Sequence, residues 1–336
     1  MRELTVCSVS FQSAFFLKWN WELCRKLNPG AGYSWIVADN TPASVREAWD
    51  VDDPDFTVVP GVDGSRFTGA CAPGLHHGEA LNRSLRLVKT RFALIIDPDF
   101  YIVRPEWVKG IPAYMKKNNL SLFGAPWNPR WYMKPRYFPA CSHCLFIDLE
   151  KIPVGSFDFK PSGRFSEQKI IETKKKIPAA VKIALRPLAQ WAQWSVLSRK
   201  IIGKEEDTGY DLLRRFAADP SCRHQCLTPV FRPVRDFIGP AFAVARPARA
   251  LEKILPDRLC YIPKREGYFS SSGFKELGYP DVSTREWEEF LWQAEPFGFH
   301  VRCYPKRDCD MKPDKEFLKE FLGRLTNSKQ ENIGVS

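Results

Sequence analysis

Apolar runs and segments of helical spacing alternate along the first 125 residues of the chain. The segments between the runs place apolar side chains three and four positions apart, which predicts helices. The runs themselves are rich in β-branched and aromatic residues, which favour buried strands. Such strands are predicted at 4–11, 33–40, 56–61, 91–100 and 120–126. Strands joined by helical crossovers form a mostly parallel sheet covered by helices, so the pattern predicts an α/β fold.

The alternation weakens beyond this point. The second part of the chain combines short predicted strands with loops rich in arginine and aromatic residues. We predict one domain over 1–310, with halves at 1–125 and 126–310 and a basic helical insert at 160–204. Residues 311–336 are expected to form a C-terminal helix and a flexible tail.

One predicted strand ends in two carboxylates. The run "RFALIIDPDF" places Asp97 and Asp99 on either side of Pro98, directly after an apolar stretch. In an open parallel sheet, ligands bind at the carboxyl ends of strands, and Mg²⁺ and Mn²⁺ prefer oxygen ligands. A turn at Pro98 would let both carboxylates approach one cation. The alternative is structural, because Asp-Pro-Asp is also ordinary turn chemistry.

The chain is basic. It carries 50 Lys and Arg residues against 39 Asp and Glu residues, a formal net charge of +11. A basic surface suits a nucleic acid, an anionic lipid surface or a phosphate-bearing substrate, and charge alone does not choose among them. The basic and aromatic loop at 127–138 could stack bases, but the sequence contains no recognised nucleic-acid motif. We therefore expect no nucleic-acid partner.

Ten cysteines in a chain of 336 residues do not indicate a small disulfide scaffold. The clusters "CSHC" at 141–144 and "CRHQC" at 222–226 leave a structural zinc site open, with buried or incidental thiols as the favoured alternative. No apolar run is long enough for a signal peptide or a transmembrane helix. A cytoplasmic location with reduced thiols is therefore expected.

Residues 174–204 form a basic segment. They contain eight Lys and Arg residues and no acidic residue, and apolar residues including Trp191 and Trp194 recur at helical spacing. This composition is typical of a helix that lies at a membrane surface. It predicts peripheral contact with an anionic membrane, at its inner face. The alternative is a helical pair packed on the domain with a solvated basic face.

Four motifs together resemble glycosyltransferase family 2 and its relatives of the GT-A fold. They are "SWIVADNTP", the pair "HGEALNRSLRLVKTRF" and "LIIDPDF", the run "CSHCLFIDLEKI", and "EEDTGYDLLRRF". Their order and spacing cover about residues 4–216. The resemblance implies a GT-A (Rossmann-like) fold and a hexosyltransferase or related enzyme. Its donor would be a nucleotide-diphosphate sugar and its acceptor a glycan or lipid-linked glycan, as in polysaccharide or cell-envelope biosynthesis.

The resemblance also assigns roles on the donor side. Asp39 would recognise the nucleoside, and Asn40 follows it at the same strand end. His77 and Asn82 would line the phosphate and sugar side of the pocket.

The family's metal and base residues have counterparts here too. Asp97 and Asp99 would hold Mn²⁺ or Mg²⁺, which bridges the donor diphosphate, so Asp97 also belongs to the donor site. Some GT-A enzymes add a C-terminal histidine ligand, for which His300 is the candidate, with a buried histidine as the alternative. Asp207 would be the general base of an inverting transfer, with Glu206 as its substitute.

The second half adds a further candidate and some departures. Lys264 and Arg265 fall where a loop over the donor would lie and could meet the diphosphate. Pro98 departs from the small residue that many relatives have between the two aspartates. Two alternatives stay open: a catalytically decayed GT-A protein that binds a nucleotide or glycan, and a nucleotidyltransferase of similar fold. A nucleotidyltransferase would carry a glycine-rich phosphate loop near its N-terminus. The corresponding segment of this chain, "SVSFQSAFF", contains no glycine.

Overall fold

The structure is a computed structural model that describes residues 2–64, 72–126, 138–139, 142–161, 208–230, 273–277, 287–301 and 312–327. Its strands within these ranges are β1 (Leu4–Ser10), β2 (Tyr33–Asp39), β3 (Phe56–Pro60), β4 (Phe92–Ile96), β5 (Phe100–Ile102), β6 (Leu122–Gly124), β7 (Cys144–Asp148), β8 (His224–Cys226), β9 (Thr228–Val230), β10 (Glu288–Trp292) and β11 (Glu295–His300). Its helices there are α1 (Ala14–Leu27), α2 (Ala72–Arg86), α3 (Trp107–Lys117), α4 (Tyr210–Phe216), α5 (Gly273–Glu276) and α6 (Lys312–Asn327). Two short 3₁₀ turns lie at Ala43–Val45 and Val154–Ser156.

The central sheet has seven strands within the described residues, in the order β3-β2-β1-β4-β7-β6-β8. β7 pairs antiparallel with both of its neighbours, while the other neighbouring pairs are parallel. Every residue of β1 and β4 is buried, as expected for strands covered on both faces. The predicted α/β fold with a mostly parallel sheet is confirmed. Strand order reverses between β1 and β4. Open α/β sheets bind ligands in the crevice that forms at such a point, outside the carboxyl ends of the strands.

A second, smaller sheet has the order β5-β11-β10-β9 and is antiparallel. Its first strand, β5, begins only four residues after β4 ends. Residues 97–99 therefore join the two sheets. Because β11 pairs with β5, the small sheet brings residues near position 300 to the Asp-Pro-Asp motif.

The core lies on both faces of the central sheet. α1 covers one face, where Leu17 and Trp21 pack in a cluster with Val6 of β1. α2 covers the other, where Leu81 packs in a cluster with Cys7 of β1. Consecutive residues of β1 serve opposite faces because side chains alternate along a strand. A third cluster joins α1, α6 and the small sheet.

Among the described residues, no helix combines the length and the apolar character that a membrane crossing requires. The basic segment 174–204 lies outside the described residues, so its contact with a membrane stays a prediction. The extent of the single domain over 1–310 stays a prediction as well.

Candidate active site

The Asp-Pro-Asp motif forms a tight turn between the two sheets. The carbonyl oxygen of Asp97 accepts a hydrogen bond from the Phe100 N–H at 3.1 Å, which closes the turn. Pro98 occupies its second position, where the fixed φ of proline is favoured. The structural interpretation of the motif and the metal-site interpretation are therefore compatible. The turn holds the carboxylates of Asp97 and Asp99 near the surface, with 15% and 14% of each side chain exposed.

Three histidines meet these two carboxylates. His77 Nε2 lies 3.7 Å from Asp97 Oδ1, and His143 Nε2 lies 3.6 Å from Asp97 Oδ2. His300 Nε2 lies 3.2 Å from Asp99 Oδ1. The rings of His143 and His300 are 4.0 Å apart between their centroids. The chain has five histidines, so most of them gather at one short turn.

Sheet pairing explains why the last two histidines arrive there. Ile96, the last residue of β4, pairs with Cys144, the first residue of the antiparallel β7. His143 therefore faces the start of the turn, and its carbonyl oxygen accepts the Asp97 N–H at 3.2 Å. In the small sheet, His300 pairs directly with Phe100.

His300 is held between two carboxylates. It is 2% exposed, and its Nδ1 lies 3.0 Å from Glu288 Oε2 on the facing strand β10. Its Nε2 is the atom that lies near Asp99. A carboxylate on one imidazole nitrogen fixes the ring and its tautomer, which is a common support for a metal-bound histidine. Sequence reasoning missed Glu288, because an acidic residue outside any recognised motif gives no distinguishing signal.

The donor set fits a divalent cation. Ligand atoms of Asp97, His143 and His300 all lie within 4.8 Å of one another. One carboxylate and two imidazoles suit first-row transition ions. The structure thus brings together two predicted metal residues, Asp97 and His300, and keeps Asp99 beside the latter. It adds His143, which the sequence had placed only in the "CSHC" cluster.

The described thiols of the "CSHC" and "CRHQC" clusters behave as core residues, because all of them are buried. Burial and the nearby Asp97 carboxylate raise the pKa of the Cys144 thiol well above its ordinary value. Burial raises the pKa of Cys222 to about 11. Both thiols are buried, and the cluster of possible metal ligands found among the described residues contains neither of them, which favours the alternative of buried thiols. Cys141 lies outside the described residues.

Asp39 ends β2 in a closed environment. Its Oδ1 accepts the Thr41 N–H at 3.0 Å, and its Oδ2 accepts the Trp49 Nε1–H at 3.0 Å. The Arg46 Nε lies 3.3 Å from the same Oδ2. Only 4% of the Asp39 side chain is exposed. Both carboxylate oxygens are thus engaged by the protein, and contact with a nucleoside stays a prediction.

The two predicted asparagines also have protein partners. Asn40 Oδ1 accepts the Val62 N–H at 2.7 Å, and its Nδ2 donates to the His76 carbonyl at 3.2 Å. Asn82 lies on α2, where Nδ2 donates to Asp158 at 2.9 Å and Oδ1 accepts the Phe159 N–H at 3.0 Å. These contacts tie the loop after β2 and the segment around 158–159 to α2. Roles for both asparagines in donor binding stay predictions.

The remaining predicted residues, Glu206, Asp207, Lys264 and Arg265, lie outside the described residues. The structure does describe Thr208, which directly follows the predicted base. A Cβ placed on Gly74 of α2 would lie 3.6 Å from Thr208 Oγ1. Gly74 is three residues, or about one helical turn, before His77. The chain therefore enters α4 beside the helix that supplies one of the three histidines.

No protein-family model and no curated protein sequence matches the chain. Solved structures of glycosyltransferases do match its fold. S. aureus TarS 1-349 is 12% identical over 88% of this chain and 98% of its own, with a TM-score of 0.34. The mannosyltransferase PcManGT from Pyrobaculum calidifontis, in complex with GDP-Man and Mn²⁺, is 12% identical over 76% of each chain, with a TM-score of 0.36. The galactosyltransferase LgtC, in complex with donor and acceptor sugar analogs, is 12% identical over 72% of this chain and 95% of its own, with a TM-score of 0.31.

The match to another structure of S. aureus TarS spans 33% of that chain. Overlaps at these identities and TM-scores carry no argument about activity. The matched proteins are themselves glycosyltransferases, which is the class of enzyme that the four sequence motifs resemble. The fold is GT-A-like on its own topology: a mostly parallel sheet with one reversed strand, joined to a small antiparallel sheet through an Asp-x-Asp turn.

Proposed function

We propose that this chain is a glycosyltransferase that moves a sugar from a nucleotide-diphosphate sugar to a hydroxyl acceptor, with inversion and with a divalent cation. One observation carries the proposal. Asp97, Asp99, His143 and His300 converge at the carboxyl end of β4, beside the crevice where the strand order reverses. This is the place in an open α/β sheet where a nucleotide is expected.

The residues at the turn suit a diphosphate leaving group. Asp97, Asp99 and His300 would hold Mn²⁺ or Mg²⁺, and such a cation neutralises charge that develops on a departing diphosphate. His77 lies on the α2 side of Asp97, 3.7 Å from its carboxylate, and would bind a phosphate or sugar oxygen. Lys264 and Arg265 would add positive charge to the same end of the donor.

The acceptor hydroxyl needs a base, and Asp207 is our candidate, with Glu206 as its substitute. The base takes the hydroxyl proton as the oxygen attacks the anomeric carbon. The position of Thr208 supports this assignment. Thr208 directly follows Asp207 in the chain and lies beside Gly74, which belongs to the same helix as His77.

The nucleoside is proposed to lie at the ends of β1 and β2, near Asp39 and Asn40. Because Trp49 and Arg46 occupy the Asp39 carboxylate, this residue would shape the pocket through them. The acceptor is proposed to be a glycan or a lipid-linked glycan, and the basic segment 174–204 would bring the enzyme to the inner face of an anionic membrane.

A thermal-shift panel tests the proposal. The purified full chain is scanned with nucleoside diphosphates and sugar nucleotides, including UDP-GlcNAc and GDP-Man, each with and without Mn²⁺. A ligand that binds only the folded state raises the unfolding midpoint, by a free energy of RT ln(1 + [L]/Kd). We expect at least one sugar nucleotide to stabilise the protein, and to do so more strongly with Mn²⁺. The absence of a response to every nucleotide would overturn the proposal.

A decisive second step uses the responding sugar nucleotide. Asp99→Asn is expected to remove the extra shift that Mn²⁺ causes while leaving the unliganded midpoint close to that of the wild type. If the cation-dependent shift persists in this variant, the cation does not act at the Asp-Pro-Asp turn.

A further inference from the structure

We propose that His143 is a direct ligand of the cation, and that it makes the site select first-row transition ions such as Mn²⁺ and Co²⁺ over Mg²⁺. This inference rests on the cation site of the proposed function and does not depend on sugar transfer. It assigns a role to a histidine that the Asp-Pro-Asp motif does not contain, and that reaches the site only through the antiparallel strand β7.

The distance between His143 and Asp97 suits two ligands of one ion. Their facing atoms are 3.6 Å apart, which exceeds the 2.7–3.2 Å range of N–H···O hydrogen bonds. Two donors that each lie about 2.1 Å from one ion are about 3.0 Å apart at a right angle and about 4.2 Å apart when opposite. The 3.6 Å separation falls between these values.

His300 completes the group with little movement. The ligand atoms of Asp97, His143 and His300 are separated by no more than 4.8 Å. Closing the widest separation to about 4.2 Å takes a shift of about half an ångström, within what two side chains accommodate by small rotations. Glu288 holds the His300 ring from behind at 3.0 Å, so the ring is already oriented.

His143 is also placed in advance by the backbone. Its carbonyl oxygen accepts the Asp97 N–H, which fixes the two residues relative to one another. It directly precedes β7, whose register with β4 is continuous from Cys144 to Asp148. Its side chain is 21% exposed, so it is partly enclosed yet open to solvent on one side. Its ring lies against that of His300, with 4.0 Å between centroids, so the two imidazoles are already side by side.

The donor types predict selectivity. Mg²⁺ prefers oxygen ligands in near-ideal octahedral geometry and keeps several waters. Imidazole nitrogen suits transition ions, whose affinity for such ligands rises from Mn²⁺ through Co²⁺ to Ni²⁺. With His300 alone, the set at the turn would be mostly carboxylate and would accept Mg²⁺ readily. With His143 as a second imidazole, nitrogen ligands equal the carboxylates of Asp97 and Asp99 in number, and the balance moves toward transition ions.

Binding of the metal alone tests the inference. Mn²⁺ and Mg²⁺ affinities are measured by calorimetry on the full chain, as wild type, as His143→Ala and as His143→Asp. Wild type is expected to prefer Mn²⁺. His143→Ala is expected to weaken Mn²⁺ binding by at least about 10-fold, the low end of what ligand-shell changes cause, and to change Mg²⁺ binding much less. His143→Asp replaces nitrogen by oxygen and is expected to bind well, with the preference moved toward Mg²⁺.

The matched control is His224→Ala. His224 lies in β8, with Nδ1 3.1 Å from the Cys222 carbonyl and its ring against Phe138. It is expected to leave the ratio of Mn²⁺ to Mg²⁺ affinity unchanged. Unfolding midpoints without metal are recorded for every variant, and His143→Asp keeps the test decisive if the alanine variant does not fold.

Electron spin echo spectroscopy of bound Mn²⁺ gives an independent reading, because it detects nitrogen nuclei bonded to the ion. The nitrogen signal is expected to decrease in His143→Asp and to be unchanged in His224→Ala. An unchanged signal and an unchanged affinity ratio in both His143 variants would overturn this inference and leave the proposed function standing. Failure of the wild type to bind any divalent cation would overturn it together with the cation dependence of the proposed function. Nucleotide binding in the thermal-shift panel would still stand.

Discussion

An aspartate lies at the carboxyl end of each of two strands of the central sheet: Asp39 is the last residue of β2, and Asp97 directly follows β4. The surroundings of these two residues differ. We call the first environment the Asp39 corner, comprising Asp39, Asn40, Arg46 and Trp49. The second is the Asp97 corner, comprising Asp97, Asp99, His77, His143 and His300. In the Asp39 corner, N–H groups meet the carboxylate at 3.0 Å. In the Asp97 corner, two imidazoles stand 3.6 and 3.7 Å from the carboxylate.

We infer from this difference that the Asp39 carboxylate stabilises its loop and that the Asp97 carboxylate binds the cation of the proposed function. Distances of 3.0 Å are hydrogen bonds, which stabilise the folded loop and leave the carboxylate 4% exposed. In the Asp97 corner, the separations to the imidazoles of His77 and His143 exceed hydrogen-bond length, imidazoles are metal-binding groups, and the Asp97 carboxylate is 15% exposed. A carboxylate at the end of a buried strand is therefore not by itself a functional signal. The groups that face it decide its role.

The largest effect that we expect comes from Asp97→Asn. The substitution keeps the shape of the side chain but removes the charge at the centre of the Asp97 corner. Transfer from the sugar nucleotide identified by the thermal-shift panel should fall by about 100- to 1,000-fold in kcat, the usual effect of losing one preorganised electrostatic group. The assay is product formation at saturating donor and Mn²⁺.

Asp219→Asn is the control for that prediction. The Asp219 carboxylate accepts hydrogen bonds from the Ser221 backbone and hydroxyl, and it takes no part in either corner. The activity of the Asp219→Asn variant should match that of the wild type within about twofold. Surface substitutions of this kind change stability by less than about 0.5 kcal/mol, so the variant stays folded. Equal activity of Asp97→Asn and the wild type would show that the Asp97 corner is as structural as the Asp39 corner.

The next effect concerns stability. Asp39→Asn replaces one carboxylate oxygen by an NH₂ group, which would face the N–H donors of Thr41 or of Trp49 and Arg46. A buried donor left without its acceptor costs about 1–3 kcal/mol. Urea denaturation should therefore show a fall of this size in the free energy of unfolding. A fall below about 0.5 kcal/mol, combined with a large loss of nucleotide affinity, would instead make Asp39 a binding residue.

The sequence predicts the framework well because burial leaves a strong local pattern. A composition rich in strand-forming residues identifies β1, and an unbroken apolar run identifies β4. All residues of both strands are buried, and the turn that follows β4 appears in the sequence as Asp-Pro-Asp. The resemblance to GT-A enzymes also proposed His300 as a ligand, although 201 residues separate it from Asp99.

The partners of these residues were harder to predict, because they depend on strand register and on loops. His143 meets Asp97 only because β7 runs antiparallel to β4 with Cys144 opposite Ile96. Glu288 meets His300 through a pairing within the small sheet, which the sequence did not predict. Trp49 belongs to a loop with no periodic pattern, so nothing local indicates that it covers Asp39.

The smallest effects that we expect come from two neighbouring residues of α2, and they compare the corners most directly. His76 supports the loop around the Asp39 corner: its Nε2 donates to the Val62 carbonyl at 2.7 Å, and its own carbonyl accepts from Asn40. His77, the next residue, lies 3.7 Å from Asp97.

His76→Ala should lower the free energy of unfolding by about 1 kcal/mol, the usual net worth of one hydrogen bond, and leave the Mn²⁺-dependent nucleotide shift in place. His77→Ala should do the reverse, with stability within about 0.5 kcal/mol of the wild type and a smaller Mn²⁺-dependent shift. Urea denaturation and thermal-shift titration of the two variants side by side measure both quantities. Since the substitutions are identical and adjacent on one helix, the change in helix propensity from His to Ala cancels between them. Equal behaviour of the two variants would contradict the division into a structural and a binding corner.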